Sequence, residues 1–550
     1  MSYDRGGFLS SIFWLTLGVG FTITTTGFSS SRAQVSNIDP LAVQNIIKHS
    51  CLVVYVKNAA RNNQMKTLFT NVQKLFSTKL IENENPVFFG SVNDLETFVW
   101  PSSKLGIVYK NIADAEKRNE IVLFPKLVPD RMCLLPTPRS GETQPIAYSG
   151  GDDLTSLLNF VNSNCGTFRD ANGRLKVAGH HRLDILANLY SLKSPLPNSC
   201  EGNADKIGEK DGNCAKISAA RNQRSKYREM KKCEEIDVDE INGDSFFLDY
   251  LSKSKPFVVR RATSRWPAHE KWTTDFFLRR YGAKNIHVKM APLGEFEGVE
   301  NATVWDDFET FEVPSVVRSK LKYPDTVVVR PASVDMNVSE FLTIISDSSR
   351  LNVNVSAYLE YTSLADYFSE LRDDISEMPF VEGVGMKLKH TNIWLSNGKT
   401  LGKLHFDPFD NFLCQISGRK ESILFEPHEN RELYEAHIQE AMLKYNATSQ
   451  TFIRRGLSDS TSLVMSPVDI NKPDFKKFPL FMNAVPLNCT IDEGDVLFMP
   501  AFWWHEVQSY PAKTEPRNLA VNFWYEPFLT REFPCPECKL DVNPVYHHLL

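Results

Sequence analysis

Short apolar runs broken by turn residues fill two separate stretches of this chain, Val381–Pro427 and Cys489–Tyr525. Such a pattern suits the strands of a sandwich or barrel and leaves little room for helices. In the first stretch, Gly402-Lys403-Leu404-His405-Phe406-Asp407 follows a turn at Ser396–Lys399. Residues i and i+2 of a strand share a face, so His405 and Asp407 reach one interior while Phe406 faces away. In the second, Val496–Pro500 leads through Ala501-Phe502-Trp503-Trp504 to His505. Two imidazoles and one carboxylate are a donor set for a non-heme Fe(II), held on one face with the opposite face open. The H-x-D step is common by chance, but of the twelve histidines only His405 stands in one.

Lys420 opens the apolar strand Glu421–Phe425, next to the turn Ser417-Gly418-Arg419. A buried ammonium needs an anionic partner, and a co-substrate carboxylate would supply it. The mouth of a barrel is where ligands from distant strands can meet.

The residues 407–425, together with Gly494–Pro500, Trp504-His505 and Val521–Tyr525, resemble the JmjC (cupin-like) 2-oxoglutarate oxygenases, in particular their small protein-hydroxylase branch. The resemblance runs roughly from Cys233 to Pro527. It implies a double-stranded β-helix, or jelly roll, with His405, Asp407 and His505 as iron ligands and the catalytic centre. Lys420 would then pair with the distal carboxylate of 2-oxoglutarate, and Asn411 would be a second co-substrate contact. Tyr358 would reach the co-substrate too, with Tyr361 as the alternative, and Asn522 and Trp524 would line the pocket. The cofactors implied are Fe(II), 2-oxoglutarate and O2. One position departs from the pattern: many relatives carry Ser or Thr three residues before the first histidine, and here it is Gly402, so a hydroxyl contact is missing unless Thr400 replaces it.

The segment Gly6–Ser31 carries no charge, Arg5 precedes it, and Ser31-Arg32-Ala33 offers small residues for cleavage after Ala33. This reads as a signal peptide over 1–33, with a single-span anchor as the alternative. Five N-x-S/T sequons, at Asn301, Asn337, Asn354, Asn446 and Asn488, agree with a lumenal address. Ten cysteines suit an oxidising compartment: Cys165, Cys200, Cys214 and Cys233 lie about a polar stretch where staples would help, and Cys535-Pro536-Glu537-Cys538 reads as a disulfide or free thiols. A net charge of −5 gives no basic surface for nucleic acid, which argues against a chromatin role.

Residues 37–192 read as α/β. Strands are expected at Cys51–Val56, Pro86–Gly90 and Ile121–Pro125, and helices over Met65–Leu80 and Asp153–Asn162, the latter entered through Pro145–Gly151. The run from Tyr148 to Thr167 resembles the thioredoxin-like domains of protein disulfide isomerases, with Phe124-Pro125 at the cis-proline position. The dithiol would fall at Asn62–Met65, where no cysteine stands, so disulfide exchange is excluded. Residues 193–232 read as a linker ending in a charged, solvated helix, and 233–550 as the oxygenase domain.

The expected protein is therefore multidomain, α/β followed by all-β: a thioredoxin-like domain lacking C-x-x-C, then a jelly-roll JmjC domain. Its expected activity is Fe(II)- and 2-oxoglutarate-dependent hydroxylation of a protein or peptide side chain in the endoplasmic reticulum lumen or secretory pathway. The alternatives are an inactive lumenal scaffold and a lysine demethylase.

Overall fold

The computed structural model describes residues 34–35, 50–57, 63–78, 84–92, 121–124, 146–191, 230–304, 318–347 and 355–550. The leader segment 1–33, Pro125, Asn354, Cys200, Cys214 and linker residues 193–229 lie outside the described residues. Among the described residues no helix is long and apolar enough to cross a membrane. The chain divides into two compact units between His180 and His181.

The first unit is a five-stranded sheet in the order β1 (Gln34–Val35), β3 (Val87–Val92), β2 (Cys51–Val56), β4 (Ile121–Phe124), β5 (Ile146–Ala147). Pairing is parallel across β1, β3 and β2 and antiparallel from β2 through β4 to β5. Helix α1 (Asn63–Thr78) buries Leu68, Phe69, Val72 and Phe76, the i, i+3, i+4 stripe its spacing promises. Helix α2 (Leu154–Cys165) starts at Asp153, whose carboxylate accepts the Ser156 N–H at 2.9 Å, and stops at Gly166 with φ +63°. Cys51 and Cys165 form a disulfide that ties β2 to the end of α2.

The second unit is built on two interleaved antiparallel sheets. With β6 as Ser356–Ser363, the eight central strands are β7 (Leu388–Ser396), β8 (Leu401–Phe406), β9 (Asp410–Ser417), β10 (Arg419–Phe425), β11 (Leu487–Ile491), β12 (Val496–Met499), β13 (Trp504–Tyr510) and β14 (Asn518–Tyr525). One sheet runs β7-β14-β9-β12, the other β8-β13-β10-β11, all antiparallel. Consecutive strands alternate between the sheets except at β10 and β11, which pair as neighbours in one sheet; this is the jelly-roll arrangement. Outer strands widen the first sheet: β6 and Asn285–Ala291 on one side, Phe257–Arg260 on the other.

These strands look continuously hydrophobic because both faces of the larger sheet are covered. Every residue of β14 is buried. Leu413, Leu497, Met499 and Ala520 face the interior between the sheets, whereas Phe412, Phe498, Val521 and Phe523 point outward into a second core. Phe246 centres that outer core, fully buried, with ring contacts to Phe257, Phe380, Phe412 and Phe498 at 5.2 to 6.2 Å.

Two expectations are corrected. The cysteines do not staple the polar stretch among themselves: Cys165 pairs with Cys51, and Cys233 pairs with Cys489, 256 residues away. Strand pairing brings the latter two together, since Lys231–Lys232 runs parallel to Leu487–Asn488. For the same reason the end of the basic stretch is strand rather than solvated helix. Cys535–Cys538 is a disulfide, one of the two forms expected of it.

Removing the Phe246 ring leaves a cavity its neighbours cannot close, at a cost of about 3–5 kcal/mol. Phe246→Ala is expected to lower the guanidinium unfolding midpoint of the second unit accordingly, with the slope of the transition unchanged.

Candidate active site

The register of β8 against β13 assembles the site. His405 stands directly opposite His505, with ring centroids 4.3 Å apart. Gly402 stands opposite Val507, so three steps on β8 meet two on β13, a β-bulge just before the first histidine. Asp407 follows the strand, and its carboxylate lies 3.6 Å from Nε2 of His505. Donor atoms of His405, Asp407 and His505 all fall within 4.8 Å of one another, the sole such cluster among the described residues.

Backbone carbonyls set the ring orientations. Nδ1 of His405 lies 2.6 Å from the Lys403 oxygen, and Nδ1 of His505 lies 2.9 Å from the Trp503 oxygen. A carbonyl can only accept, so both Nδ1 atoms carry the proton and both Nε2 atoms present a lone pair. Burial and the neighbouring His405 push His505 down to about 3, which keeps that ring neutral. Burial holds the Asp407 carboxyl above its usual range, against the pull of His405 and with a further push from Glu297.

The turns carrying the donors are tied together. The Phe502 N–H donates to the Asp407 carbonyl at 2.8 Å, and Phe502 adopts φ +67°. Asp410 accepts from the Ala501 and Phe528 N–H groups, each at 2.8 Å. Behind the donors, Phe406 and Trp504 meet edge to face at 4.8 Å, and the Arg531 guanidinium lies over Phe406 while pairing with buried Glu435 at 2.8 Å.

A cavity opens at the three donors. Its wall includes Tyr358, Tyr361, Asn411, Lys420 and Asn522, as expected from the sequence, and also Thr400 and Gly402. Lys420 is 2% exposed, and its ammonium donates to the Ser509 hydroxyl at 2.8 Å. It has no carboxylate partner among the described residues, and burial alone lowers it to about 7. An uncompensated buried cation facing a cavity fits the distal carboxylate of a dicarboxylic keto acid. The indole of Trp394 can only donate, and it reaches Oδ1 of Asn522 at 2.8 Å. That fixes Nδ2 of Asn522 on Oδ1 of Asn411 at 3.0 Å and leaves Nδ2 of Asn411 as the donor at the end of the chain.

Trp524 is the exception. It does not reach the cavity wall: it stacks on Phe409 at 5.0 Å and touches Tyr361, itself a wall residue, at 5.7 Å. At Gly402 a Cβ would meet nothing closer than the Val507 oxygen at 3.9 Å, so a side chain would fit there; the polar wall nearby is supplied by Thr400 and Ser509.

The wall also holds residues the sequence did not single out: Glu297, Glu360 and Ser509. Glu297, at φ +57°, is clamped by Arg330 at 2.5 Å; burial would raise its carboxyl, but Arg330 overrides this and holds it low. Burial, reinforced by Glu297, pushes Glu360 up to about 8. Ser509 was legible, since it lies four residues after His505 on the same strand face; so was Glu360, two residues after Tyr358.

Replacing Lys420 with Met removes a charge-assisted hydrogen bond worth about 1.5–3 kcal/mol, so the KM for 2-oxoglutarate is expected to rise roughly tenfold to a hundredfold. Because the free lysine titrates near 7, binding the dianion takes up a proton above that pH and none below it. In the native protein the KM should therefore climb between pH 7 and 9, and Lys420→Arg should flatten that climb; steady-state titrations across the range check both.

A family model described as a cupin-like domain matches residues 244–531. The human bifunctional peptidase and (3S)-lysyl hydroxylase JMJD7 is 26% identical over 286 residues, covering 51% of this chain and 80% of that protein. Lysine-specific demethylase JMJ32 of Arabidopsis thaliana is 26% identical over 288 residues, covering 51% and 78%. The tRNA wybutosine-synthesizing protein 5 of Gallus gallus is 25% identical over 299 residues, covering 54% and 79%. With a jelly roll, a His-Asp-His cluster that fits iron and a buried lysine that fits the keto acid, this chain belongs to the cupin-like JmjC family and is an oxygenase dependent on Fe(II), 2-oxoglutarate and O2.

Proposed function

We propose that the chain hydroxylates a cationic side chain, lysine foremost, on a protein or peptide within the secretory pathway. The observation that carries this reading is the acidic wall beside the metal donors: Glu297 and Glu360 line the same cavity as His405, Asp407 and His505. An ammonium entering that cavity would meet both carboxyls, and its charge would draw Glu360 into its ionised form. Two relatives carry lysine in their names, one as a lysyl hydroxylase and one as a lysine-specific demethylase. Three disulfides support an oxidising compartment.

In this reading His405, Asp407 and His505 hold the iron through two Nε2 atoms and a carboxylate. Lys420 and Ser509 take the distal carboxylate of 2-oxoglutarate, with Asn411 and Tyr358 as further donors; burial raises the Tyr358 phenol, so it stays protonated. When bound, the iron couples O2 to the keto acid, so that one oxygen atom ends in succinate, one in the substrate C–OH, and CO2 leaves. Leu413, Met499, Val507 and Trp394 keep much of the cavity wall apolar. Trp394 and Tyr361, in ring contact at 4.7 Å, give a face for the aliphatic stem or ammonium of the substrate.

The first unit is read as a redox-inactive thioredoxin-like binding module. The strand order and the switch from parallel to antiparallel pairing support this. Asn63 and Gln64 open α1 where a dithiol would sit.

Succinate formation by the purified chain with Fe(II) and 2-oxoglutarate under air, absent in His405→Ala, is the expected base activity. Lysine-containing peptides from secreted proteins should raise it and gain 16 Da. Glu297→Gln should raise the KM for such a peptide more than the KM for 2-oxoglutarate. A peptide mass shift on neutral side chains alone would sink the cationic reading.

A further inference from the structure

We infer that Asn301 and Asn446 carry N-linked carbohydrate, and that Asn488 does not, although all three stand in intact sequons. The glycosidic bond forms at Nδ2, so the folded chain must leave that nitrogen uncommitted and in reach of solvent. Asn301 closes the strand Gly298–Asn301 and is exposed; its Oδ1 accepts from the N–H of Thr303 at 3.1 Å and from the Thr303 hydroxyl at 2.9 Å. Asn446 closes the strand Ile438–Asn446 and is exposed; its Oδ1 accepts from the N–H groups of Thr448 and Ser449 at 3.0 and 3.2 Å. In both residues the oxygen anchors the carboxamide to the following turn. Nδ2 engages no described residue in either.

Asn488 is built the other way. It lies within β11, flanked by β10 on one side and Lys231–Lys232 on the other. Its Nδ2 donates to Glu421 at 2.7 Å, and its neighbour Cys489 is locked to Cys233. A sugar there would have to displace a hydrogen bond inside a paired sheet. Asn337 also engages its oxygen, accepting the Glu340 N–H at 2.8 Å, but it is half-buried and for that reason has no part in the assignment.

The two acceptors sit at opposite ends of one four-stranded sheet. Asn301 pairs with Thr326, which lies level with the start of the strand Ile438–Asn446. Asn446 ends that strand eight residues on, about 26 Å away at the usual rise. Neither lines the cavity, so two glycans leave the site open.

The full chain, expressed with its own first residues in a eukaryotic cell, would be treated with peptide-N-glycosidase F in H2(18)O and mapped by mass spectrometry. The expected result is 18O-labelled aspartate at 301 and 446 and unlabelled asparagine at 488. N301Q and N446Q should each remove one step of gel mobility. Label at 488, or none at 301 and 446, overturns the assignment. Protease protection of microsomes is read in parallel. A protected chain bare at both sites defeats the site assignment alone, while an unprotected chain defeats the secretory address as well; oxygenase turnover is independent of both.

Discussion

The antiparallel pairing of β8 with β13 brings two histidines face to face, although 100 residues separate them. Period-2 geometry then sorts every neighbour. His405 and His505 turn inward beside Asp407, while Phe406 and Trp504 turn outward and interlock with Phe502, Phe533 and Arg531. The outward residues resist a slip, because a shift of one position would put aromatic rings in the cavity and imidazoles in an apolar core. The bulge after Gly402 and the tie between Phe502 and Asp407 close the geometry at the two ends of the strand pair. Metal coordination in this fold is thus a by-product of how a hydrophobic sandwich fixes its register.

Charge distribution around the cavity follows from what each group lacks. Arg330 satisfies two carboxylates, Glu297 and Glu440. Lys420 has only a hydroxyl. Glu360 has no cation of its own within bonding distance among the described residues, and Asp407 faces only the imidazoles of His405 and His505. The protein therefore keeps one unmatched cation and two unmatched acids in the same cavity. Ligands of opposite sign complete both sets: a dicarboxylate on one, a metal and a cationic substrate group on the other.

Much of this was legible in the residues themselves. The strand runs from Leu388 to Tyr525 could be read because a sheet covered on both faces shows as unbroken apolar segments set off by turns. The site donors could be read because H-x-D at a strand end has a fixed parity and because His505 and Lys420 stand in apolar strand context; the resemblance then gave each its role. Ser509 and Glu360 obey the same parity along their strands, four residues from His505 and two from Tyr358. Glu297 had no such signal: it sits at φ +57° in a turn between Phe296 and Gly298, and no periodicity marks it. Trp524 misled because parity places it with Asn522, while the tyrosine at 361 occupies the space in front of it. The cysteine pairing was beyond reach for a different reason: local spacing around the polar stretch carries no information about a partner brought in by strand order 256 residues later.

The solitary lysine of β10 has a consequence for the protein as a whole. A buried ammonium without a counter-ion strains the folded state, and the metabolite that neutralises it binds only when the chain is folded. The keto acid thus acts as a removable structural ion, adding stability in proportion to the logarithm of its concentration once that exceeds its dissociation constant. Scarcity of the co-substrate would therefore lower the stability of the folded chain as well as slow its turnover.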